Sequence, residues 1–494
     1  MKDRVSTDVQ PALFIDGTWR LAAEGAAREV INPADGSVVA VVAEAGAADA
    51  RSAVAAARAA FPAWSATAVS ERVLILERIA ELLLRDRDEI ARIETLDTGK
   101  TLRESHIDID DVVSVFRYYA RLAAVQSDRV VDVGNPAIVS RVVREPVGVC
   151  VLIAPWNYPL LQIVWKIAPA LAAGCTMVAK PSEVTPLSTI ALVRLADEAG
   201  VPAGVLNLIQ ASGAAVGGAL IDNADVDMVS FTGGAATGAL IAATAAPHVS
   251  RVALELGGKN PHLVFADAEW DSAVDAVVTG VFLHSGQVCS SGTRLIVEES
   301  IADDLVAAVV ARAEKIRYGD GLDPASQTGP LVSMAHRDKV EAYVALGISE
   351  GAVLRTGGRR PADPALAAGS FYPPTVFDRC DRSMRIVTEE TFGPILTVER
   401  FTTEEQAIEL GNDTTYGLAA AVRTGDTARA ERVARALRHG TVWVNDFGVY
   451  TAGAEWGGFG RSGNGRELGP TGLAEYQELK HIWTNTAPSE VGWF

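Results

Sequence analysis

The stretches that decide the fold are VGVCVLIA (147–154), CTMVAK (175–180), GVLNLIQ (204–210), VDMVSFTG (226–233) and RVALELG (251–257). Each is a short, nearly unbroken apolar run, the pattern of a strand buried on both faces. Segments with apolar residues at helical spacing lie between them, near 160–172, 186–199, 213–223 and 234–246. Strand and helix in alternation predict an α/β fold whose parallel sheet is covered by helices, a doubly wound nucleotide-binding architecture. Pro146–Trp165 is uncharged over a membrane-spanning length, but Pro155, Asn157, Pro159 and Gln162 interrupt it. It reads as strand, loop and helix, with no membrane partner.

Working outward, residues 70–99 place Val73, Leu76, Ile79, Leu83, Ile90 and Ile93 on one helical stripe, with Gly99 as the stop. A second α/β series spans about 257–440, with helices expected at 270–284, 300–316 and 427–438. Residues 128–146 read as two short strands around the turn Gly134-Asn135-Pro136. The tail 479–494 is apolar and aromatic. Neither piece has a partner in the sequence, so both are expected to dock, on another subunit.

The chain has 494 residues, 49% apolar and 21% charged, with 44 Lys+Arg against 62 Asp+Glu, a net charge of −18. That composition excludes a disordered chain, and the acidic balance without clustered Lys/Arg argues against nucleic acid. Cys150, Cys175, Cys289 and Cys380 show no paired spacing and no Cys/His cluster. A disulfide frame and a metal site are not expected, and a reducing compartment is. Met1–Gln10 lacks the apolar core of a signal peptide, so a cytoplasmic enzyme is the expectation.

Cys289 lies in Ser285-Gly286-Gln287-Val288-Cys289-Ser290-Ser291-Gly292, just past an apolar helix. Most intracellular cysteines are small core residues. A loop of glycines and small polar residues instead suits a nucleophile, whose thiolate needs access and nearby N–H groups. Glu255 ends an apolar run before Gly257-Gly258, where ligands bind in such sheets, and reads as a general base with a raised pKa. Asn157, after Pro155-Trp156 at another strand end, is placed to donate to a developing oxyanion. In Lys180-Pro181-Ser182-Glu183 a Lys and a Glu together suit ribose hydroxyls. Phe231-Thr232-Gly233-Gly234 and Gly213/Gly217 open two further helices, where a pyrophosphate approaches backbone N–H groups.

These residues fall in motifs that resemble the aldehyde dehydrogenase superfamily: PWN (155–157), KPSE (180–183), FTGG (231–234), ELGGKN (255–260), GQVCSSGTR (286–294), EETFGP (389–394) and GGFGRSGNGRELG (457–469). The resemblance runs essentially end to end. It implies that Cys289 attacks an aldehyde, that Asn157 and the Cys289 N–H bind the oxyanion, and that hydride passes to NAD. Glu255 then activates water to hydrolyse the thioester, with Lys166 and Glu467 carrying the proton away. It further implies a cofactor site of Ile153, Pro155, Trp156, Lys180, Ser182, Glu183, Gly213, Gly217, Phe231, Gly233, Gly234 and Leu256. Glu390 would hold the nicotinamide ribose, with Phe392 against the ring. Glu183 favours NAD over NADP, since a carboxylate repels a 2′-phosphate; NADP stays open as an alternative.

The same resemblance implies a cofactor domain of 1–127 plus 147–255, a catalytic domain of 256–440, a segment 441–469 closing over the active site, and oligomerisation arms at 128–146 and 470–494. Dimers or tetramers would follow. Tyr158, Trp165 and Trp456 match the aromatic cage of the betaine aldehyde and aminoaldehyde dehydrogenase branch, which the chain most resembles. A trimethylammonium group accepts no hydrogen bond and sits best against aromatic faces. Glu455 beside Trp456 would add charge attraction. Two departures stand out: Leu283 replaces a Trp found in plant members of the branch, and Gly460 stands where many relatives carry Lys. Betaine aldehyde is the leading expectation, ahead of ω-aminoaldehydes and uncharged aldehydes. A CoA-acylating relative would lack Glu255, and a non-catalytic structural homologue would lack Cys289 or Glu255.

Overall fold

The structure, a computed structural model, describes residues 12–493; Met1–Gln10, read above for a targeting signal, lie outside the described residues. All five apolar runs form strands, Val149–Ile153, Thr176–Lys180, Leu206–Leu208, Met228–Gly233 and Arg251–Leu256, parallel neighbours in an eight-stranded sheet. Val149–Leu152 and Met177–Ala179 are fully buried, as unbroken apolar runs require. The helices between them, Pro159–Ala173, Leu187–Glu198, Gly213–Ile221 and Ala235–Ala245, cover the faces. Antiparallel strands extend the sheet, Leu13–Ile15 and Thr18–Arg20 at one end and Gly463–Asn464 at the other.

Strand register positions the site. Lys180 pairs with Ile153, which pairs with Phe231, and the next rows pair Thr232 with Glu255 and Gly233 with Leu256. The strand ends therefore finish level, and the loops leaving them share one edge. Successive strands depart to opposite sides of Val149–Ile153, and the crevice at that reversal is where such sheets take ligands.

The stretch 70–99 forms two helices rather than one, Val69–Arg85 and Arg87–Thr98. Asp86 sits between them with non-helical φ −103°, ψ 18°, and Arg85 turns aside to pair with Asp86 and Glu198. Gly99 ends the second helix in the left-handed conformation, where a Cβ would also meet the Pro330 ring at 2.6 Å.

A second sheet of seven strands runs Val353–Thr356, Thr375–Asp378, Ile395–Phe401, Arg294–Glu298, Pro261–Val264, Ala419–Arg423 and Thr441–Val444. It is parallel apart from its first strand, with helices Trp270–Phe282, Ala302–Ala313 and Thr427–Ala436 among those flanking it. Its last strand lies within the segment 441–469. Gly463–Asn464 from that same segment returns to pair with Leu254 and Glu255 of the first sheet.

One expectation is overturned. The hairpin and the tail do have a partner within the chain: each other. Strand Gln477–Asn485 pairs antiparallel with Ile138–Pro146, which also carries Arg129–Val131. The pairing joins residues more than 300 apart, so no local pattern announces it. Among the described residues no helix is long and apolar enough to cross a membrane.

Candidate active site

Two cavities of about 220 Å³ each meet at Cys289 and Gln162, the residues that line both. The first opens on the level strand ends and is bounded by Pro155, Trp156, Asn157, Gly233, Gly234, Leu256, Glu390 and Phe392, all singled out in the sequence. Gln162, Thr232, Gly257, His336 and Lys339 also line it without having been anticipated. His336 lies at 5.0 Å from the Trp156 ring and contacts the Phe392 carbonyl oxygen at 2.7 Å. That contact holds Phe392 in a left-handed backbone conformation, φ 56°.

The loop before Cys289 is shaped by strained backbone. His284 and Ser285 both adopt positive φ, 49° and 54°, which is uncommon without glycine. Their surroundings fix them: the His284 N–H donates to Glu104 at 3.0 Å, and the Ser285 hydroxyl donates to the Gly329 carbonyl at 2.6 Å. Gly286 follows with φ 73°, packed so that a Cβ would lie 2.2 Å from the Gly393 oxygen. Asn157 donates one amide N–H to the Gln287 carbonyl at 2.8 Å, which leaves its second N–H free for another acceptor. Asn260, at the end of the ELGGKN motif, donates to the carbonyls of Cys289 and Ser291, both at 2.9 Å.

Burial first, then the charges of Glu255 and Glu390, push the Cys289 thiol up to about 12, with the Ser290 and Cys289 N–H groups pulling the other way. Cys289 and Val288 are partly exposed, while Ser285, Gly286, Gln287 and Ser290 around them are buried. The thiol is the resting form at neutral pH, and its thiolate fraction grows as pH rises toward that value. Inactivation of the cofactor-free protein by iodoacetamide is expected to be slower at pH 7.5 than alkylation of free cysteine, and to accelerate up to at least pH 10. A plateau reached near pH 8 would contradict this.

Glu255 is 4% exposed, and neither carboxyl oxygen has a hydrogen-bond partner among the described residues. Burial and the nearby Glu467 raise its pKa well above the ordinary glutamate value, against the pull of Lys166. The carboxyl lies against Gly457, where a Cβ would come within 2.6 Å of it. It borders neither cavity directly. Lys166 and Glu467 form a fully buried ion pair, and Lys166 also donates to Thr232 at 2.7 Å. Burial raises the Glu467 pKa as well.

Lys180, Ser182, Glu183, Gly213 and Gly217 do not line the first cavity. The Lys180 ammonium is 3.8 Å from Glu183, and Ser182 caps its own turn by accepting from the Val184 N–H. Gly213 begins helix Gly213–Ile221 and Gly217 lies one turn further along it, and a Cβ at either, or at Gly234, would meet nothing within 4 Å. Ile153 ends its strand, and Phe231 lies two residues before the end of the neighbouring strand Met228–Gly233. Phe231 supports Gly233 from below, where a Cβ would strike its ring at 2.4 Å.

The second cavity contains Tyr158, Trp165 and Trp456 as anticipated, with Tyr450 and Phe447 beside them. Trp165, Trp456 and Tyr450 form a triangle with ring centroids 5.4 to 6.0 Å apart. Leu283 lines the same cavity. Glu455 requires a correction: it is exposed, accepts from Thr471, and does not line the cavity. Trp456 pairs with Glu467 as extended backbone, so adjacent side chains point to opposite sides. The carboxylates present are Glu104, Asp108 and Asp111, all from one helix, Leu102–Val125. Asp111 accepts from the Tyr450 hydroxyl at 2.6 Å, and Asp108 lies 2.5 Å from the buried Lys100 ammonium. That ammonium in turn stands 4.2 Å over the Tyr158 ring. Burial pushes Asp108 up to about 7 and raises Asp111.

Comparison with known proteins identifies the family. The model of the aldehyde dehydrogenase family matches residues 19–482. The chain is 54% identical to betaine aldehyde dehydrogenase of Bacillus subtilis, over 98% of this chain and 99% of that protein. It is 43% identical to peroxisomal aminoaldehyde dehydrogenase 1 of Pisum sativum, over 98% and 97%. The crystal structure of Staphylococcus aureus betaine aldehyde dehydrogenase in complex with NAD⁺ superposes with a TM-score of 0.96 at 49% identity, covering 98% of this chain and 96% of that one. The chain belongs to the aldehyde dehydrogenase family.

Proposed function

We propose that the protein oxidises a cationic aldehyde, betaine aldehyde or a close relative, to the carboxylic acid with NAD⁺ as cofactor. The observation that carries this reading is Cys289 at the meeting point of two cavities, one at the strand ends and one lined by aromatic rings and carboxylates.

The residues present fit a dinucleotide. Open Cβ positions at Gly213 and Gly234 leave room for a pyrophosphate at two helix N-termini, with Gly217 open one turn into the first of them. Lys180, Ser182 and Glu183 suit an adenosine ribose, and Ile153, Pro155, Trp156, Phe231, Gly233 and Leu256 wall its path. Glu390 lies against Gly257 and accepts from the Gly258 N–H at 3.1 Å, leaving a carboxyl oxygen for the nicotinamide ribose, with Phe392 beside the ring.

The Cys289 thiol loses its proton to solvent, and the sulfur attacks the aldehyde carbon, forming a C–S bond while the carbonyl electrons move to oxygen. The free Asn157 N–H and the Cys289 backbone N–H hold that oxyanion. Bound NAD⁺ supplies the acceptor for the hydride that leaves the tetrahedral carbon. A thioester on Cys289 results. Glu255, made basic by burial, takes a proton from water as the water oxygen attacks the thioester carbon. The C–S bond breaks, the acid departs, and the buried Lys166–Glu467 pair passes the proton onward.

The second cavity selects the substrate. A quaternary ammonium is held by ring faces, and the carboxyl groups of Asp108, Asp111 and Glu104 favour a cation over an uncharged substrate. Tyr450 closes the triangle although Leu283 replaces a Trp on another wall. The same carboxylates favour an ω-aminoaldehyde as the second reading. The test is kcat/KM for betaine aldehyde, 4-aminobutyraldehyde and hexanal. Replacing Trp456 by Ala is expected to raise KM for betaine aldehyde about tenfold and for hexanal less than about threefold, the scale of a desolvated cation–π contact. Equal effects on both would remove the cage from the account.

The three-stranded sheet leaves Leu479 and Trp483 exposed on one face, an apolar patch that supports a homo-oligomer of two or four chains. Four free thiols, three of them buried, support a reducing, cytoplasmic setting.

A further inference from the structure

A cluster of four charges lies beside the ribose end of the cofactor site, and two of its members come from a distant hairpin. Arg28, in strand Ala27–Ile31, and Glu44, just past strand Val38–Ala43, form a two-pronged ion pair, with Nε to Oε2 at 2.6 Å and Nη2 to Oε1 at 2.7 Å. Glu44 also accepts from the backbone N–H of Ser212 at 3.1 Å. Ser212 is the residue that opens helix Gly213–Ile221. The pairing with Arg28 holds the Glu44 carboxyl below the usual glutamate range. Arg28 and Glu183 line one wall of a further cavity of about 340 Å³, and the fields of Lys180 and Glu183 reach this pair. The two groups here that would bind a phosphate, a guanidinium and a helix-opening N–H, are therefore both occupied by one carboxylate.

We propose that Glu44 is a cofactor-selectivity residue that excludes a 2′-phosphate, acting together with Glu183 and resting on the assignment of Lys180 and Glu183 to the adenosine ribose. A phosphate on the ribose 2′-oxygen would enter a space holding two carboxylates, Glu44 and Glu183. The guanidinium that lines this cavity, Arg28, is already neutralised by Glu44. Removing the Glu44 charge reverses both effects: one repelling carboxylate disappears, and Arg28 becomes available for the bidentate contact that guanidinium makes with phosphate.

The test is direct titration of NAD⁺ and NADP⁺ by calorimetry on the full chain and on Glu44→Gln, Glu44→Gln/Arg28→Ala and Lys180→Ala. Glu44→Gln is expected to lower the ratio of the NADP⁺ to the NAD⁺ dissociation constant at least about tenfold, the scale of one charged hydrogen-bonded contact. The double variant should lose most of that gain. A ratio within twofold of the parent in Glu44→Gln overturns the proposal. A gain that survives loss of Arg28 overturns the part assigned to Arg28 and leaves repulsion by Glu44 as the whole cause. Adenosine 2′-monophosphate against adenosine 5′-monophosphate, titrated on the same proteins, repeats the comparison without nicotinamide. Lys180→Ala should weaken NAD⁺ binding whatever Glu44 does. If it does not, the ribose assignment has failed, which is a different result from an unmoved ratio.

Discussion

Replacing Cys289 by alanine is expected to lower the rate of NADH formation at least about 10⁴-fold, because the covalent step has no substitute within reach. Cys289 and Gln162 are the residues common to both cavities, and the other three cysteines are buried elsewhere, Cys150 and Cys175 by the first sheet and Cys380 by the second. Because the alanine removes only a sulfur from the floor of the first cavity, calorimetry should find NAD⁺ affinity within about threefold of the parent. Removing the thiol also removes a group whose deprotonation Glu255 and Glu390 oppose. Residual turnover above one part in a thousand would mean that another group attacks the aldehyde.

Replacing Glu255 by glutamine gives the second large effect, of a different kind. The first half of the reaction makes no use of a base for water, so one equivalent of NADH per active site should appear rapidly. Steady turnover after that burst should fall about 10²- to 10⁴-fold, the range of general-base catalysis. The substitution also removes a carboxyl that is buried without hydrogen-bond partners. The variant is therefore expected to be at least as stable to heat as the parent, which separates a chemical loss from a folding loss. Loss of the burst together with steady turnover would place Glu255 before hydride transfer instead of after it.

The five central strands are legible in the sequence because burial on both faces leaves nothing but apolar residues in them, and their ends carry the polar groups the site uses. Cys289 is legible because a thiol among Gly286, Ser290, Ser291 and Gly292 has few apolar neighbours to pack against. Asp108 and Asp111 are not: on helix Leu102–Val125 they resemble a solvated face, and only the approach of Tyr450 from some 340 residues away turns that face inward. Glu455 fails for the opposite reason, since adjacency in sequence to Trp456 means opposite directions in an extended chain. The hairpin and tail find each other across a similar separation. His336 and Lys339 sit at the start of helix Met334–Ser349 with no motif to mark them, and the break at Asp86 leaves the apolar stripe of residues 70–99 undisturbed.

The most direct measurement of the central claim is the mass of the peptide carrying Cys289 after acid quenching of Glu255→Gln mixed with NAD⁺ and betaine aldehyde. The mechanism predicts that this peptide gains the mass of the acyl group in proportion to the NADH burst, and that Cys289→Ala gains nothing. An NADH burst from the Glu255 variant with no acyl group on Cys289 would contradict it.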